Sequence, residues 1–230
     1  MSIIYKENMM DFYGFYTGKI FDAYKYLGAH VEEKGVTFRT FAPSASRITL
    51  IGEFNDWQEW KMNKVSDGNF WECYVPQAKA GQMYKYKIYD RNGNPVDHCD
   101  PYGFGMELRP SSASIIRDMS KYKFKDSQWL QSRSDCRKKP LNIYEIHFGS
   151  FRKPSDKADD WYNYEEMIDI LIPYLVKNGY NYLEIMPLNE YPCDESWGYQ
   201  ATGFFSPTSR YGTADQLKAF VDACHKHGIG

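Results

Sequence analysis

The sequence predicts two successive structural parts, an antiparallel β-sandwich and the beginning of a parallel α/β domain. Short strands separated by turns occupy residues 30–117, whereas strands and helices alternate after Pro140. The first pattern is typical of antiparallel sandwiches, and the second is typical of parallel sheets covered by helices. Residues 118–140 are charged and are interpreted as a linker between the two parts.

Four strands of the first part are predicted from apolar and aromatic residues that alternate with polar ones. They occupy residues 36–41, 48–51, 70–75 and 83–89. Turns rich in Gly, Asn and Asp at 66–69 and 91–95 lie beside the third and fourth of these strands. Such residues favour turns because they adopt backbone conformations that a strand excludes.

The second part begins with two predicted strands, residues 141–148 and 182–186, that flank a helix. Asn163 and Glu166 have the spacing of a helix N-cap and its reciprocal partner. The helix is expected to end at Gly179, since glycine accepts the left-handed conformation that follows many helices. A helix between two strands indicates that the strands are parallel.

A second predicted helix follows a long connection. Thr213 and Gln216 repeat the capping pattern, and Gly228 ends the helix. Apolar residues recur at helical spacing on one face of this helix: Leu217, Phe220, Val221 and Cys224. The order strand, helix, strand, long connection, helix is that of the opening of a parallel α/β domain.

The composition excludes several classes of function. Of the 230 residues, 43% are hydrophobic and 25% are charged, with a formal net charge of -2 and no basic run, so we expect no nucleic-acid partner. No apolar stretch of about 20 residues and no leader-like N-terminus is present, so we expect a soluble, cytoplasmic protein without a membrane partner. No metal site and no cofactor is expected, since the cysteines are scattered without a C-x-x-C motif: Cys73, Cys99, Cys136, Cys193 and Cys224.

The connection before the second helix, residues 196–213, is unusually rich in aromatic residues. It contains five aromatic rings and three glycines besides several hydroxyl side chains. A connection of this length inside a compact α/β segment usually has a function. Flat rings suit the apolar faces of sugars, and polar groups suit their hydroxyls, so this composition favours a carbohydrate ligand. The aromatic content of the whole chain, 17%, is equally compatible with a tyrosine-rich sheet surface.

Four motifs resemble those of the branching enzymes of glycoside hydrolase family 13. Residues 144–151 resemble the first strand of that family's (β/α)8 barrel, residues 179–188 resemble the second, and residues 196–213 resemble the connection that follows. Residues 52–57 resemble the sandwich of carbohydrate-binding module family 48. The resemblance implies an all-β immunoglobulin-like sandwich followed by the first β-α-β-α part of a (β/α)8 TIM barrel, which is incomplete here.

The resemblance also implies a reaction. Enzymes of this family cleave an α-1,4-glucan and transfer the cut segment to a 6-hydroxyl, with retention and through a covalent glycosyl-enzyme. Their catalytic carboxylates lie on the fourth, fifth and seventh strands, which this sequence does not include, so no catalytic residue is assigned. We therefore expect the chain to be inactive alone, and we expect an α-1,4-glucan such as glycogen or an amylose-like chain as its partner.

Three residues of the aromatic connection are candidates for binding substrate. The resemblance places Tyr199 where a tyrosine stacks on the sugar at the cleavage subsite, and Trp197 and Gln200 are weaker candidates. A ring face against the C–H face of a sugar excludes water beside the bond to be cut. Arg210 and Tyr211 are expected to hold the connection in place.

The sandwich has its own candidate residues. Trp57 and Lys85 match positions that line the glucan site of related modules. Those modules place a second tryptophan in the hairpin after the strand of Lys85, and this sequence has Asn92-Gly93-Asn94 there instead. Two rings hold a helical glucan better than one, so glucan binding and packing at the sandwich edge are both open for Trp57.

These observations predict four segments and leave alternative functions. The segments are an N-terminal arm (1–20), the sandwich (21–117), the linker (118–140) and the truncated start of the barrel (141–230). The first alternative is a non-catalytic glucan-binding protein, which needs only a folded sandwich. The second is part of a debranching enzyme or a maltooligosyltrehalose hydrolase, since these share the sandwich-plus-barrel arrangement.

Overall fold

The computed structural model describes residues 10–133 and 138–230. Its backbone forms two compact units. The first unit comprises the described residues up to Glu107, with Ser112–Asp118 and Gly203–Phe205, and the second unit comprises Leu108–Ser111, Ser206–Gly230 and the described residues from Met119 to Thr202. In neither described range does any helix have the length and apolar character that a membrane crossing requires.

The first unit contains two antiparallel sheets. Its strands are β1 (Gly28–Glu32), β2 (Gly35–Phe41), β3 (Arg47–Gly52), β4 (Trp60–Lys61), β5 (Asn63–Val65), β6 (Phe70–Val75), β7 (Met83–Tyr89), β8 (Pro95–His98) and β9 (Ser114–Ile115). One sheet has the order β1-β2-β6-β5, and the other has the order β4-β3-β7-β8 with β9 also paired to β7. Four of these strands, β2, β3, β6 and β7, lie where the alternating pattern predicts them.

The two sheets share one hydrophobic core and therefore form a sandwich. Phe38 of β2 faces Tyr84 of β7 with ring centroids 4.9 Å apart, and both side chains are fully buried. Ile48 and Leu50 of β3 belong to the same core. In β2, β3, β6 and β7 the core residues recur at every second position, which is the reason that a period of two in the sequence predicts the sandwich.

A short helix, α1 (Phe12–Tyr16), packs on the first sheet. The Asp11 side chain accepts a hydrogen bond from the Gly14 backbone N–H at 2.9 Å and begins the helix. The ring of Phe12 contacts that of Phe70, and the ring of Phe15 contacts that of Phe41, with centroids 4.8 and 5.1 Å apart. The predicted N-terminal arm therefore includes, in its described part, a helix that contributes to a second apolar cluster.

The second unit contains a parallel pair of strands covered by helices. Its elements are α2 (Ser127–Ser132), β10 (Ile143–Ile146), α3 (Phe148–Phe151), α4 (Glu166–Lys177), β11 (Tyr182–Ile185), β12 (Asn189–Glu190) and α5 (Ala214–Lys226), and it includes the last two residues of β13 (Gly203–Pro207). Strands β10 and β11 are parallel, and Ile146 lies opposite Ile185. The parallel pair is confirmed, whereas the eight-stranded barrel and the four segment boundaries stay predictions.

Both capping patterns form as the sequence predicts. The Asn163 side chain accepts from the Glu166 N–H at 2.9 Å, and Glu166 accepts from the Asn163 N–H at 2.8 Å. Thr213 and Gln216 make the same reciprocal pair before α5. Gly179, after α4, has a φ of 74°, the left-handed conformation expected of a residue that ends a helix.

The aromatic connection is more ordered than a plain loop. Residues 203–207, predicted as irregular, form β13, and one-turn 3-10 helices occupy Asp194–Ser196 and Ser209–Tyr211. The aromatic pair in β13, Phe204 and Phe205, favours extended backbone. Further 3-10 turns in the first unit occupy Ala23–Lys25 and Glu53–Asn55.

Candidate functional site

The carboxyl ends of β10 and β11 meet at one edge of the parallel pair. The Met186 N–H donates to the Ile146 carbonyl at 2.9 Å, so His147 and Pro187 leave the two strands side by side. Ligands of open parallel sheets bind outside the carboxyl ends of the strands. This edge is therefore a candidate ligand-binding site in the second unit.

Residues 194–199, which we call the aromatic turn, lie at this edge. The Trp197 N–H donates to the Asp194 carbonyl at 3.1 Å, and the Tyr199 N–H donates to the Ser196 carbonyl at 3.0 Å. Gly198 has a φ of 88°, and a Cβ at this position would overlap the carbonyl oxygen of Pro187. Only glycine lets the backbone pass this close to the end of β11.

The aromatic turn presents its rings to solvent. Tyr199 is 66% exposed and Trp197 is 54% exposed, and Gln200 beside them is also exposed. The structure thus brings together the three candidate residues of the connection at the carboxyl edge of β10 and β11. Exposed flat rings with an adjacent amide can stack on an apolar face and hydrogen bond to its polar rim.

His147 lies beside these rings. Its ring centroid is 6.1 Å from that of Trp197, and its Nδ1 is 2.9 Å from the Ser150 hydroxyl oxygen. Burial, followed by the positive charge of Arg210, lowers the pKa of His147. The imidazole is therefore mainly neutral at pH 7 and offers one donor and one acceptor.

A buried ion pair joins the aromatic connection to β12. Arg210 Nη1 donates to Glu190 Oε1 at 2.7 Å, and Glu190 also accepts from the Ser209 N–H at 2.6 Å and the Thr208 hydroxyl at 3.1 Å. The Arg210 guanidinium stacks on the ring of Tyr191, with Cζ 3.7 Å from the centroid. These contacts hold the end of the connection against β12 and the residue that follows it, as expected for Arg210.

Tyr211 also has the expected anchoring position. Its ring is buried and lies 4.9 Å from that of Phe148, between centroids. A Cβ at Gly149 would lie 2.5 Å from the Tyr211 hydroxyl, so a larger residue at 149 would displace it. Tyr211 thereby attaches the connection to α3.

Asp194, the first residue of the aromatic turn, is bound by two arginines. Arg210 Nε donates to Asp194 Oδ1 at 3.0 Å, and Arg109 Nε donates to Asp194 Oδ2 at 2.8 Å. The hydrogen bond from Arg109 is the main cause that lowers the pKa of Asp194, and the bond from Arg210 adds to it. Asp194 is therefore ionised at neutral pH and poorly suited to donate a proton.

Sequence reasoning missed two members of this cluster. Arg109 precedes Asp194 by 85 residues, and no motif around it signals a partner so far along the chain. Arg109 also donates to Asp159 at 2.6 Å. The burial of Glu190 could not be predicted from the sequence either, because an acidic residue is usually exposed.

The candidates in the first unit lie on its surface. Trp57 is 40% exposed, and its N–H donates to the Gly52 carbonyl at 2.9 Å. Lys85 lies opposite Ile51 in the β3–β7 ladder, and its Nζ lies 3.2 Å from the Ser112 hydroxyl oxygen. Both candidates therefore lie near the end of β3 that leads into Gly52.

The hairpin after β7 is polar where related modules place a tryptophan. Asp90 accepts from the N–H groups of Asn92 and Asn94, both at 2.8 Å. Gly93 in this turn has a φ of 84°. The turn is thus built by a carboxylate and supplies no ring.

Residues 10–133 and 138–230 hold no group of three or more His, Cys, Asp or Glu that could bind a metal ion. The four described cysteines form no disulfide. Cys136 and residues 134–137 of the predicted linker lie outside the described residues, as do residues 1–9 of the predicted arm.

Residues 26–103 match the family described as carbohydrate-binding module 48 (isoamylase N-terminal domain). A crystal structure titled as a putative alpha amylase from Salmonella typhimurium has a TM-score of 0.71 over 89% of this chain and 32% of that chain. The two sequences are 24% identical, so this likeness concerns the fold alone.

Three relatives named 1,4-alpha-glucan branching enzyme GlgB match nearly all of this chain. The protein from Dechloromonas aromatica is 45% identical over 224 residues, and those from Fusobacterium nucleatum and Geobacillus stearothermophilus are 41% identical over 231 and 229 residues. The matches cover 95, 99 and 96% of this chain and 36, 38 and 36% of these relatives. The chain is thus related by sequence to about a third of a 1,4-alpha-glucan branching enzyme, and its residues 26–103 match carbohydrate-binding module 48.

Proposed function

We propose that this chain supplies the glucan-binding sandwich and the first barrel strands of a 1,4-α-glucan branching enzyme. Such an enzyme cleaves an α-1,4-glucan and transfers the segment to a 6-hydroxyl, which forms α-1,6 branches in glycogen in the cytoplasm. The names of the relatives support this proposal. The observation that carries it is the pair of exposed rings, Trp197 and Tyr199, at the carboxyl edge of β10 and β11.

The chemistry of a glucan fits this edge. A pyranose has apolar C–H faces and a rim of hydroxyls, so the Tyr199 ring can stack on a face while Gln200 hydrogen bonds to the rim. The neutral imidazole of His147 has its Nδ1 beside the Ser150 hydroxyl, which leaves Nε2 to donate or accept one hydrogen bond beside Trp197. In the first unit, Trp57 offers a further ring and Lys85 offers donors for a second contact with the polymer.

We assign no catalytic residue to this chain. Retaining glycoside chemistry needs a nucleophilic carboxylate and a carboxylic acid about 5–5.5 Å apart. Asp194, the described carboxylate that begins the aromatic turn, is occupied by Arg109 and Arg210. Purified chain incubated with amylose should leave the iodine colour unchanged, and a shift towards the colour of branched glucan would contradict this assignment.

A non-catalytic glucan-binding protein is the second candidate function. The match of residues 26–103 to a carbohydrate-binding module favours it. In that case binding depends on Trp57 and is indifferent to Tyr199. A debranching enzyme or maltooligosyltrehalose hydrolase is disfavoured by the names of the relatives, and product analysis would identify either.

Affinity electrophoresis through gels that contain glycogen distinguishes these proposals. We expect the wild-type chain to be retarded, and we expect Tyr199→Ala to be retarded less because the stacking ring is lost. Tyr13→Ala is the matched control, since Tyr13 is a tyrosine of similar exposure, 69%, in the first unit. If only Trp57→Ala reduces retardation, the second candidate is correct, and if the wild type is not retarded, both proposals are wrong.

A further inference from the structure

We infer that Arg109 and Arg210 are positioning residues for the glucan site. Together they hold the Asp194 carboxylate and so fix the aromatic turn in the conformation that exposes Trp197 and Tyr199. This inference rests on the proposed function, because it concerns how the same rings meet a glucan. It adds to that function a role for two residues that contact Asp194.

Asp194 connects the two arginines to the segment that carries the exposed rings. Its carboxylate is bound from two sides, by Arg109 at Oδ2 and by Arg210 at Oδ1. Its backbone carbonyl accepts from the Trp197 N–H at 3.1 Å. A displacement of the Asp194 side chain therefore also moves the Asp194 carbonyl. Through the hydrogen bond to that carbonyl, it moves the backbone of Trp197.

The aromatic turn cannot hold this conformation by the backbone preferences of its own residues. Trp197 has a φ of 54°, a left-handed conformation that a residue with a bulky side chain rarely adopts. Gly198 follows with a φ of 88° against Pro187. Unfavourable backbone conformations persist when the surrounding structure imposes them, and the charge-assisted contacts of both arginines with Asp194 are part of that structure.

The two arginines differ in burial and in their other partners. Arg210 is buried and also neutralises Glu190, so its removal disturbs the fold as well as the turn. Arg109 is partly exposed, and without it Asp194 keeps Arg210 as a partner. Arg109 is therefore the residue whose removal loosens the turn with little effect on folding.

Asp159 completes the arrangement on the solvent side. It accepts from Arg109 Nη2 at 2.6 Å and is mostly exposed. One guanidinium thus lies between two carboxylates, and its planar fork can donate to both at once. A lysine at position 109 keeps the charge and loses this geometry, so the two properties can be tested separately.

The experiment follows Trp197 and glucan binding together in the whole chain. The protein is labelled with 5-fluorotryptophan, and the Trp197 resonance among the six tryptophans is assigned by Trp197→Phe. Maltoheptaose is titrated in the Trp57→Ala background, so that the remaining binding reports the aromatic turn. The variants are Arg109→Gln and Arg109→Lys, with Arg152→Gln, another exposed arginine of the second unit, as the matched control.

We expect Arg109→Gln to shift or broaden the Trp197 resonance and to weaken maltoheptaose binding about fivefold, the lower end of the range typical of coupling between two sites. Arg109→Lys should restore part of the loss, and Arg152→Gln should change neither signal. Thermal unfolding of Arg109→Gln should match that of the wild type, which separates positioning from a loss of folding.

Two results would overturn the inference in different ways. If Tyr199→Ala weakens binding while Arg109→Gln leaves both the affinity and the Trp197 resonance unchanged, the arginine does not position the turn and the proposed function stands. If Tyr199→Ala leaves binding unchanged, the proposed function fails, and the role of Arg109 in glucan binding fails with it.

Discussion

Arg210 and Glu190 form an ion pair that is almost wholly removed from water. Their side chains are 1% and 3% exposed, and Nη1 lies 2.7 Å from Oε1. A buried charge is costly unless it is paired and hydrogen bonded, and here both conditions are met by contacts between β12 and the end of the connection. The exposed rings of Trp197 and Tyr199 therefore belong to a segment whose flanking residues, Glu190 and Arg210, are held by a buried ion pair.

Arg210→Met should lower the free energy of unfolding of the second unit by about 3–5 kcal/mol, since Glu190 is left buried without its charged partner. Urea unfolding followed by near-UV circular dichroism measures this loss. Lys25→Met is the control, because it breaks the exposed pair of Lys25 and Asp22 and should cost no more than about 1 kcal/mol. Equal losses in the two variants would mean that the buried pair has no special role.

Gly198→Ala should destabilise the second unit by more than Gly179→Ala. Both glycines have positive φ, 88° and 74°, so alanine is strained at each position. At Gly198 the new methyl group also overlaps the Pro187 carbonyl oxygen, whereas at Gly179 it meets nothing within 4 Å. The difference between the two unfolding free energies isolates the overlap, and identical values would show that the backbone at 198 has room to move.

The sandwich should lose stability as the pH rises through the titration of Asp100. This carboxyl is fully buried, and burial raises its pKa to about 6 although the Tyr84 and Tyr86 hydroxyls and the Tyr102 N–H hydrogen bond to it. The folded state then binds more protons than the unfolded state between about pH 4 and pH 6, so the free energy of unfolding falls across this range.

Asp100→Asn removes this titration and serves as the reference. The free energy of unfolding of the wild type minus that of Asp100→Asn should decrease between pH 4 and pH 6 and then level off. All other titrating groups are common to both proteins and cancel in the difference. A difference that is constant or that increases with pH would mean that the Asp100 pKa is not raised.

Regular periodicity explains which elements can be predicted from the sequence. Strands β2, β3, β6 and β7 alternate because they have one face in the core, and α5 has an apolar face between a capping box and Gly228. Helix α1 has no such signal. Its five residues are held by contacts with Phe41 and Phe70, which tertiary folding brings together.

The candidate site also has features that can be predicted from the sequence and features that cannot. The exposed rings follow from the composition of the connection, which places Trp197 and Tyr199 next to glycine. The contacts of Asp194 with Arg109 do not follow from any local pattern, because they join residues 85 positions apart. The left-handed φ of Trp197 is equally hidden, since this conformation is imposed by neighbours and not by the residue itself.

The most direct test asks whether the face of the Tyr199 ring binds an α-1,4-glucan. Calorimetric titration of maltoheptaose, in the Trp57→Ala background, compares Tyr199 with Tyr199→Phe and Tyr199→Ala. Stacking predicts that phenylalanine keeps most of the affinity and that alanine loses about tenfold, or about 1.4 kcal/mol. An alanine variant that binds as tightly as tyrosine would contradict the account.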